Sequence, residues 1–127
     1  MAPRKKKVAK KKTAKKSPMM RKNEDKPKLS YMLDFPAAIE AWTRVMEAGA
    51  EKYERNNWKN GMPITEMENS LLRHLTAFHN CENNDPEIKQ NHMANIMFNA
   101  AAIIEHMKRY GDEFDDRDWA NEGKNNV

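Results

Sequence analysis

The stretch DPEIKQNHMANIMFNAAAIIEHMKRYG, residues 85–111, decides the fold. Its first three residues resemble a helix start: a capping side chain, a proline in the first helical position and an acid in the first turn (Asp85, Pro86, Glu87). Gly111 is a typical residue just beyond a helix end. Apolar residues occupy nearly every side of the turns between, so the sequence predicts a buried helix from Pro86 to about Tyr110.

Four polar residues interrupt this apolar helix along one line: His92, Asn95, Asn99 and His106. At about 100° per residue each of them falls within about 40° of one line along the helix. Polar groups on a buried helix must be hydrogen-bonded or coordinated. Two interpretations stay open: an Asn/His network that fixes helix register, or the wall of a ligand or metal site.

Two further amphipathic helices precede it. Apolar residues recurring at three- and four-residue steps predict the first over residues 36–54. Thr65 and Glu68 have the spacing of a capping box, which predicts a second helix from there to about Asn80. Its inward face is predicted to hold Met67, Leu71, Leu72, Leu75 and Phe78. With no strand pattern, the fold class is all-α: a small helical bundle of three main helices.

Three short helices make a small core, and small cores are marginally stable. Five methionines fall on the predicted helices, which gives the domain a methionine-rich apolar surface (Met46, Met67, Met93, Met97, Met107). We therefore expect the bundle to be completed by oligomerisation with copies of itself.

The charge divides the chain. Residues 1–22 hold 11 of the 23 Lys/Arg and no acid, whereas residues 23–127 hold the other 12 against all 19 Asp/Glu, a formal charge of −7. So few apolar residues accompany the lysines that residues 1–25 are predicted to be a disordered basic arm. The domain is assigned to residues 26–111. An acidic tail, residues 112–127, is expected to lie against it.

The chain is expected to be a soluble protein of a reducing compartment. Cys81 is the sole cysteine, so no intrachain disulfide can form. No apolar run approaches the ~20 residues of a membrane span, and the basic N-terminus lacks the apolar core of a secretory signal. The expected location is the cytoplasm, that of the host if a phage encodes the protein. A nuclear location is not excluded, because residues 4–8 resemble a nuclear localisation signal.

Several candidate site residues follow from residue type and position. Imidazole, carboxylate and amide groups near the third helix can together supply the ligands of a divalent metal (His74, Glu82, Asp85, His92, Asn95). Their spacing matches no zinc motif. Glu47 and Glu51, four apart on the outer face of the first helix, are by default a solvated acidic face. Arg73 faces either a phosphate or solvent.

The order of short motifs along residues 26–110 resembles the N-terminal domain of the phage dATP/dGTP diphosphohydrolases, which are similar to MazG-like all-α nucleotide pyrophosphohydrolases. The motifs are Lys26-Pro27-Lys28-Leu29, Met46 to Tyr53, Asn57-Trp58, Gly61-Met62-Pro63, Leu72-Arg73-His74-Leu75, Glu82 with Asp85-Pro86-Glu87, and His92 with Asn99. Asn95 stands where the family usually has a second histidine, and Glu51 where it usually has a basic residue.

The resemblance implies a homo-oligomer that cleaves a purine deoxynucleoside triphosphate to monophosphate and pyrophosphate with Mg²⁺ or Mn²⁺. It implies metal on the five candidate ligands above, with Glu47 as a further ligand or as the catalytic base. Lys52 and Arg73 would contact the phosphates, and Trp58 or Asn99 the base or sugar.

A function of another class stays open beside this one: a non-catalytic, nucleic-acid-binding accessory protein whose helical domain serves only for oligomerisation. Clustered lysines bind phosphate strongly, in a salt-sensitive and sequence-independent way, by displacing counterions. The residues that would do so are Arg4, Lys5, Lys6, Lys7, Lys10, Lys11, Lys12, Lys15 and Lys16. On a third hypothesis, a phage protein that binds host components through its helical surface, the sequence offers no evidence for or against.

Overall fold

The computed structural model describes residues 18–118. Three α-helices form this part of the chain: α1 (Pro36–Lys52), α2 (Ile64–His79) and α3 (His92–Tyr110). Short 3₁₀ turns over Leu29–Asp34 and Asn57–Asn60 precede α1 and α2. Within the described range there is no strand, so the all-α fold with three main helices is confirmed. The basic residues from Arg4 to Lys16, assigned to the arm, lie outside the described residues.

Helix α3 lies at the centre because it packs against both α2 and α1. The polar stripe on α3 is buried: His92, Asn95, Asn99 and His106 are 1–7% exposed. The stripe predicted from the sequence is thus confirmed as an interior feature.

The start predicted for the third helix is wrong. Helix α3 begins at His92, and Asn91 caps it: the Asn91 side-chain oxygen accepts the backbone N–H groups of Met93 at 2.7 Å and Ala94 at 3.3 Å. Asp85 instead accepts the backbone N–H of Glu87 at 2.8 Å, in a turn of its own. Lys89, with φ of 56°, is left-handed, which stops a right-handed helix from passing through it. Residues 80–91 therefore form a loop.

The predicted capping box at Thr65 is also wrong. Helix α2 begins at Ile64, so Thr65 already lies inside it. The Thr65 backbone N–H and hydroxyl both donate to the carboxylate of Asp116. The backbone N–H of Ile64 donates to the carbonyl of Phe114 at 2.9 Å. The hydrogen bonds from Thr65 hold the pKa of Asp116 below its usual value. The segment after α3 therefore caps α2, and its described part lies against the domain as expected.

The core of the described chain is small, with five buried hydrophobic residues: Val45, Ile64, Met67, Ala94 and Ala102. Three residues predicted to face inward on α2 are 41–47% exposed instead (Leu72, Leu75, Phe78). The reason is that α2 makes its main contact with α3, which covers only one side of it.

His106 anchors one end of the bundle. Its Nε2 accepts the backbone N–H of Met62 at 3.2 Å and its Nδ1 donates to the carbonyl of Ala102 at 3.0 Å. The ring also packs among Trp58, Tyr110 and Phe114. At this end of the stripe, the polar side chain thus has a structural role. None of the helices described is long and apolar enough to cross a bilayer.

Candidate metal centre

Three potential metal ligands converge where α2, α3 and the loop between them meet. They are His74 from the middle of α2, Asp85 from the loop and His92 from the first turn of α3. One ligand atom from each lies within 4.8 Å of the others. The two Nδ1 atoms are 2.8 Å apart, and His74 Nδ1 lies 3.9 Å from Asp85 Oδ2. We call this group the metal centre.

Backbone hydrogen bonds in the loop hold Asp85 and His92 in place. The backbone N–H of Asp85 donates to the carbonyl of Gln90 at 2.8 Å, and the N–H of Lys89 donates to the carbonyl of Asp85 at 2.7 Å. The N–H of His92 donates to the carbonyl of Asn83 at 3.0 Å. Because the main chain is fixed on either side of Asp85, its carboxylate projects from a defined position beside α2.

The carboxylate of Glu82 determines which nitrogen of His92 is available. His92 Nε2 lies 2.8 Å from Glu82 Oε2. An ionised carboxylate only accepts hydrogen bonds, so Nε2 carries the proton and Nδ1 keeps its lone pair. That lone pair accepts the proton of His74 Nδ1, which lies 2.8 Å away. Glu82 therefore contacts the ring on the side away from the metal centre.

The spacing of the three donors fits a bound ion. Ligands about 2.1 Å from a metal at tetrahedral or octahedral angles lie roughly 3.0–3.4 Å from each other. The observed separations of 2.8 Å and 3.9 Å fall on either side of that range. All three ligand atoms lie within 4.8 Å of one another, so one ion can be placed among them.

Both histidines of the metal centre are largely shielded from solvent. The His92 side chain is 4% exposed and the His74 side chain 15%. The pKa of His74 is lowered, first by burial and then by His92, and these effects outweigh the opposing attraction of Asp85. His74 is therefore neutral at pH 7, and its Nδ1 can coordinate an ion once the proton that it shares with His92 has left.

Asn95 and Asn99 lie below the metal centre along α3. The Asn95 side-chain NH₂ donates to the carbonyl of Asn91 at 3.0 Å, and that of Asn99 donates to the carbonyl of Asn95 at 2.9 Å and to Ser70 Oγ at 3.4 Å. Both amides thus bond to the backbone of α3 or its cap.

The predicted phosphate-binding residues lie at the rim. Lys52 Nζ forms a half-exposed ion pair with Glu87 at 3.0 Å, which ties the end of α1 to the loop. Arg73 is exposed beside His74 and lines a shallow groove of about 480 Å³ along α2. Glu47 is exposed on α1, and no contact recorded among residues 18–118 connects it with the metal centre.

Trp58 lies on another side of α3. It lines a groove of about 400 Å³ between α1 and α3, together with Trp42, Phe98, Lys59 and Arg109. The Lys59 ammonium lies 5.5 Å from the centre of the Trp58 ring. This groove combines aromatic surfaces with two cations and the acid Glu105, whereas the metal centre combines two imidazoles with one carboxylate.

Comparison with known proteins gives one match. The family model described as dATP/dGTP diphosphohydrolase, N-terminal, matches residues 16–117. No curated protein and no solved structure matches the chain. The matched range contains all three helices and the metal centre, and it begins after most of the basic residues of the N-terminus.

Proposed function

The chain belongs to the dATP/dGTP diphosphohydrolase N-terminal family, and on that premise we propose that it hydrolyses a purine deoxynucleoside triphosphate to monophosphate and pyrophosphate with Mg²⁺ or Mn²⁺. The observation that carries the proposal is the convergence of His74, Asp85 and His92 in a chain whose family name indicates a nucleotide hydrolase. The reaction would take place beside these three residues.

The donor set is suited to hold a divalent ion: two imidazoles and one carboxylate, whose ligand atoms all lie within 4.8 Å of one another. Such an ion would neutralise phosphate charge and acidify a bound water. The protein itself fixes the donors through the loop hydrogen bonds around Asp85 and His92. An acidic domain needs such a positive centre to accept a triphosphate.

Two cations at the rim are placed to meet the phosphates. Arg73 directly precedes His74 on α2, and its charge makes the smallest of the contributions that shift the pKa of His74. Lys52 is paired with Glu87, and because both side chains are at least half exposed, a triphosphate can compete for the lysine. Glu47, Asn95 and Asn99 are not needed for this proposal.

The base has a candidate place in the groove between α1 and α3. A planar base stacks on aromatic side chains, and the groove offers Trp42 and Trp58. Lys59 and Arg109 add positive charge at its edge. Trp58 thus keeps the role of base contact that the resemblance implies, whereas Asn99 is engaged on α3 with Ser70 and Asn95.

Product analysis tests this function. The full chain is incubated with each of the four dNTPs and Mg²⁺ or Mn²⁺, and the products are separated by anion-exchange chromatography. We expect dAMP or dGMP with an equal amount of pyrophosphate, and little turnover of dCTP or dTTP. Release of orthophosphate, or no turnover of any dNTP, would contradict the proposal.

We also propose that the domain is a homo-oligomer. Large apolar side chains on the segment before α1 are 67–73% exposed (Leu29, Tyr31, Leu33, Phe35), and Ile104 on α3 is 68% exposed. Exposed apolar surface of this extent marks an interaction site, and the small core needs additional burial. Light scattering at micromolar concentration should give a mass at least twice 14.9 kDa. A stable monomer would contradict this.

A second candidate function, nucleic-acid binding by residues 1–22, is favoured by one observation. The family match begins at residue 16, so the first eight of the basic residues lie outside it. Eleven positive charges in 22 residues are far more than nucleotide hydrolysis requires, and such a density binds phosphate backbones. The two functions are compatible in one chain.

Deleting residues 1–22 should abolish most DNA binding while leaving the helix content unchanged, because α1 begins only at Pro36. Fluorescence anisotropy with a duplex gives the affinity against salt concentration. For the full chain, log K should fall with log[salt] with a slope of about −0.9 per neutralised phosphate. As a graded control, changing Lys5, Lys6 and Lys7 to Gln should reduce the slope by up to about three such steps. Undiminished DNA affinity in the deletion variant would contradict the assignment.

A further inference from the structure

The metal centre offers a donor set that differs from that of a magnesium site. Mg²⁺ binds oxygen ligands and keeps several waters, so one or two carboxylates and substrate phosphates usually hold it. Imidazole nitrogen suits Zn²⁺, Fe²⁺ and Ni²⁺ better, and Co²⁺ lies between Fe²⁺ and Ni²⁺ in its affinity for such sites, whereas Mn²⁺ prefers oxygen ligands as Mg²⁺ does. In the metal centre, two of the three donors are imidazole nitrogens.

Deepening the proposed function, on which it rests, we propose that the metal centre selects a divalent transition-metal ion over Mg²⁺. We further propose that Glu82 is its positioning residue, which holds His92 with Nδ1 free to coordinate. The ligands are His74 Nδ1, His92 Nδ1 and Asp85 Oδ2. Water or substrate phosphate completes the coordination shell.

The only carboxylate of the centre belongs to Asp85, and the next carboxylate along the loop is already engaged. Glu82 Oε2 lies 2.8 Å from His92 Nε2, on the far side of the ring from His74. To act as a second oxygen ligand, Glu82 would have to give up that bond and move around the ring. Its place makes it a hydrogen-bond acceptor to a ligand, which raises the basicity of that ligand.

The loop holds His92 at two neighbouring points. The backbone N–H of His92 bonds the carbonyl of Asn83, and its ring bonds the side chain of Glu82. Backbone and ring are thus tied to consecutive residues of one loop, which fixes the direction in which Nδ1 points. Because His92 is only 3% exposed, the Glu82 carboxylate reaches a buried ring nitrogen and is not simply a solvated surface charge.

Cobalt titration of the full chain, without nucleotide, tests the choice of metal. Co²⁺ bound by nitrogen ligands gives visible absorption bands that report binding directly. We expect one ion per chain, and about a 100-fold excess of Mg²⁺ should leave the bands in place. If Mg²⁺ at a concentration equal to that of Co²⁺ removes the bands, or if no bands form, the inference fails.

A matched pair of loop variants tests Glu82. Glu82→Ala should weaken Co²⁺ binding about 10–100-fold, the loss typical when the outer partner of a metal-bound histidine is removed. Glu82→Gln should lose less, because its carbonyl still accepts the proton on Nε2. Glu87→Ala, which removes an equal charge from the same loop, should stay within about twofold of wild type. Equal losses for Glu82→Ala and Glu87→Ala would mean a charge effect and would overturn the positioning role.

The outcomes separate this inference from the function on which it rests. Co²⁺ binding with the expected pattern but no dNTP hydrolysis would refute the hydrolase proposal alone. Hydrolysis together with Mg²⁺ and Co²⁺ binding of equal strength would refute the metal selectivity alone.

Discussion

Replacing Gly61 with alanine should destabilise the protein by about 2–5 kcal/mol, a large part of the 5–15 kcal/mol typical of a domain. Two independent costs add. Gly61 has φ of +87°, which a residue with a Cβ adopts only under strain. In addition, a Cβ at this position would lie 2.4 Å from Cζ of Phe114, well inside van der Waals contact.

The ring of Phe114 cannot give way without further loss. It packs edge-on against Tyr110, with ring centres 5.0 Å apart, and at 6.1 Å from the ring of His106. The backbone carbonyl of Phe114 also accepts the first N–H of α2. Moving the ring therefore disturbs both the aromatic cluster and the start of α2.

Urea denaturation measures this cost, with Gly49→Ala as the matched control. Gly49 lies inside α1 with no atom within 4 Å of an added Cβ, so alanine there should stabilise by about 0.5–1 kcal/mol. In a Phe114→Ala background, Gly61→Ala should lose the part of its cost that comes from the clash. A Gly61→Ala variant as stable as wild type would contradict the close contact between Gly61 and the ring of Phe114.

Changing His92 to alanine should eliminate stabilisation by metal altogether. In wild type, Mn²⁺ at about 100 times its Kd would add about 2.7 kcal/mol to the free energy of unfolding. The variant should show no such gain. It should also lose about 1–3 kcal/mol without metal, because Glu82 and His74 lose their partner in the ring.

Thermal melts with and without Mn²⁺ separate these two effects, since only the metal-dependent shift reports coordination. His79→Ala is the control, because His79 is an exposed histidine in the last turn of the same helix as His74. It should melt like wild type under both conditions. If wild type itself shows no shift at millimolar Mn²⁺, with or without dGTP, the histidines are structural.

The sequence predicts the three helices well because their apolar periodicity is strong. It also predicts the buried polar stripe, since four polar residues share one line of an apolar helix. The start of α3 is different: Asp85-Pro86-Glu87 is a strong start signature, yet the chain uses it for a turn. Asn91, directly before His92, is an equally good capping residue, and only tertiary contacts choose between the two.

Only part of the candidate metal centre could be predicted from the sequence. Residue type alone indicates His74, Asp85 and His92 as ligands, but it cannot tell a ligand from the partner of a ligand, because that depends on which ring nitrogen each carboxylate reaches. In the structure, Glu82 bonds the His92 ring on the nitrogen away from His74. His106 shares the stripe with His92 yet bonds Met62 and Ala102, since it lies at the end of α3 that faces the aromatic cluster.

Pyrophosphate release from dGTP by wild type and by Asp85→Asn tests the central claim most directly. Asparagine keeps the oxygen that accepts the Glu87 backbone N–H, so the turn should survive, while the carboxylate charge facing His74 is lost. Asp34→Asn, on the exposed segment before α1, is the control for an equal change of charge. The account predicts about a 100-fold or larger loss of rate for Asp85→Asn and none for Asp34→Asn, as expected for a lost metal ligand. Equal pyrophosphate release by wild type and Asp85→Asn would contradict it.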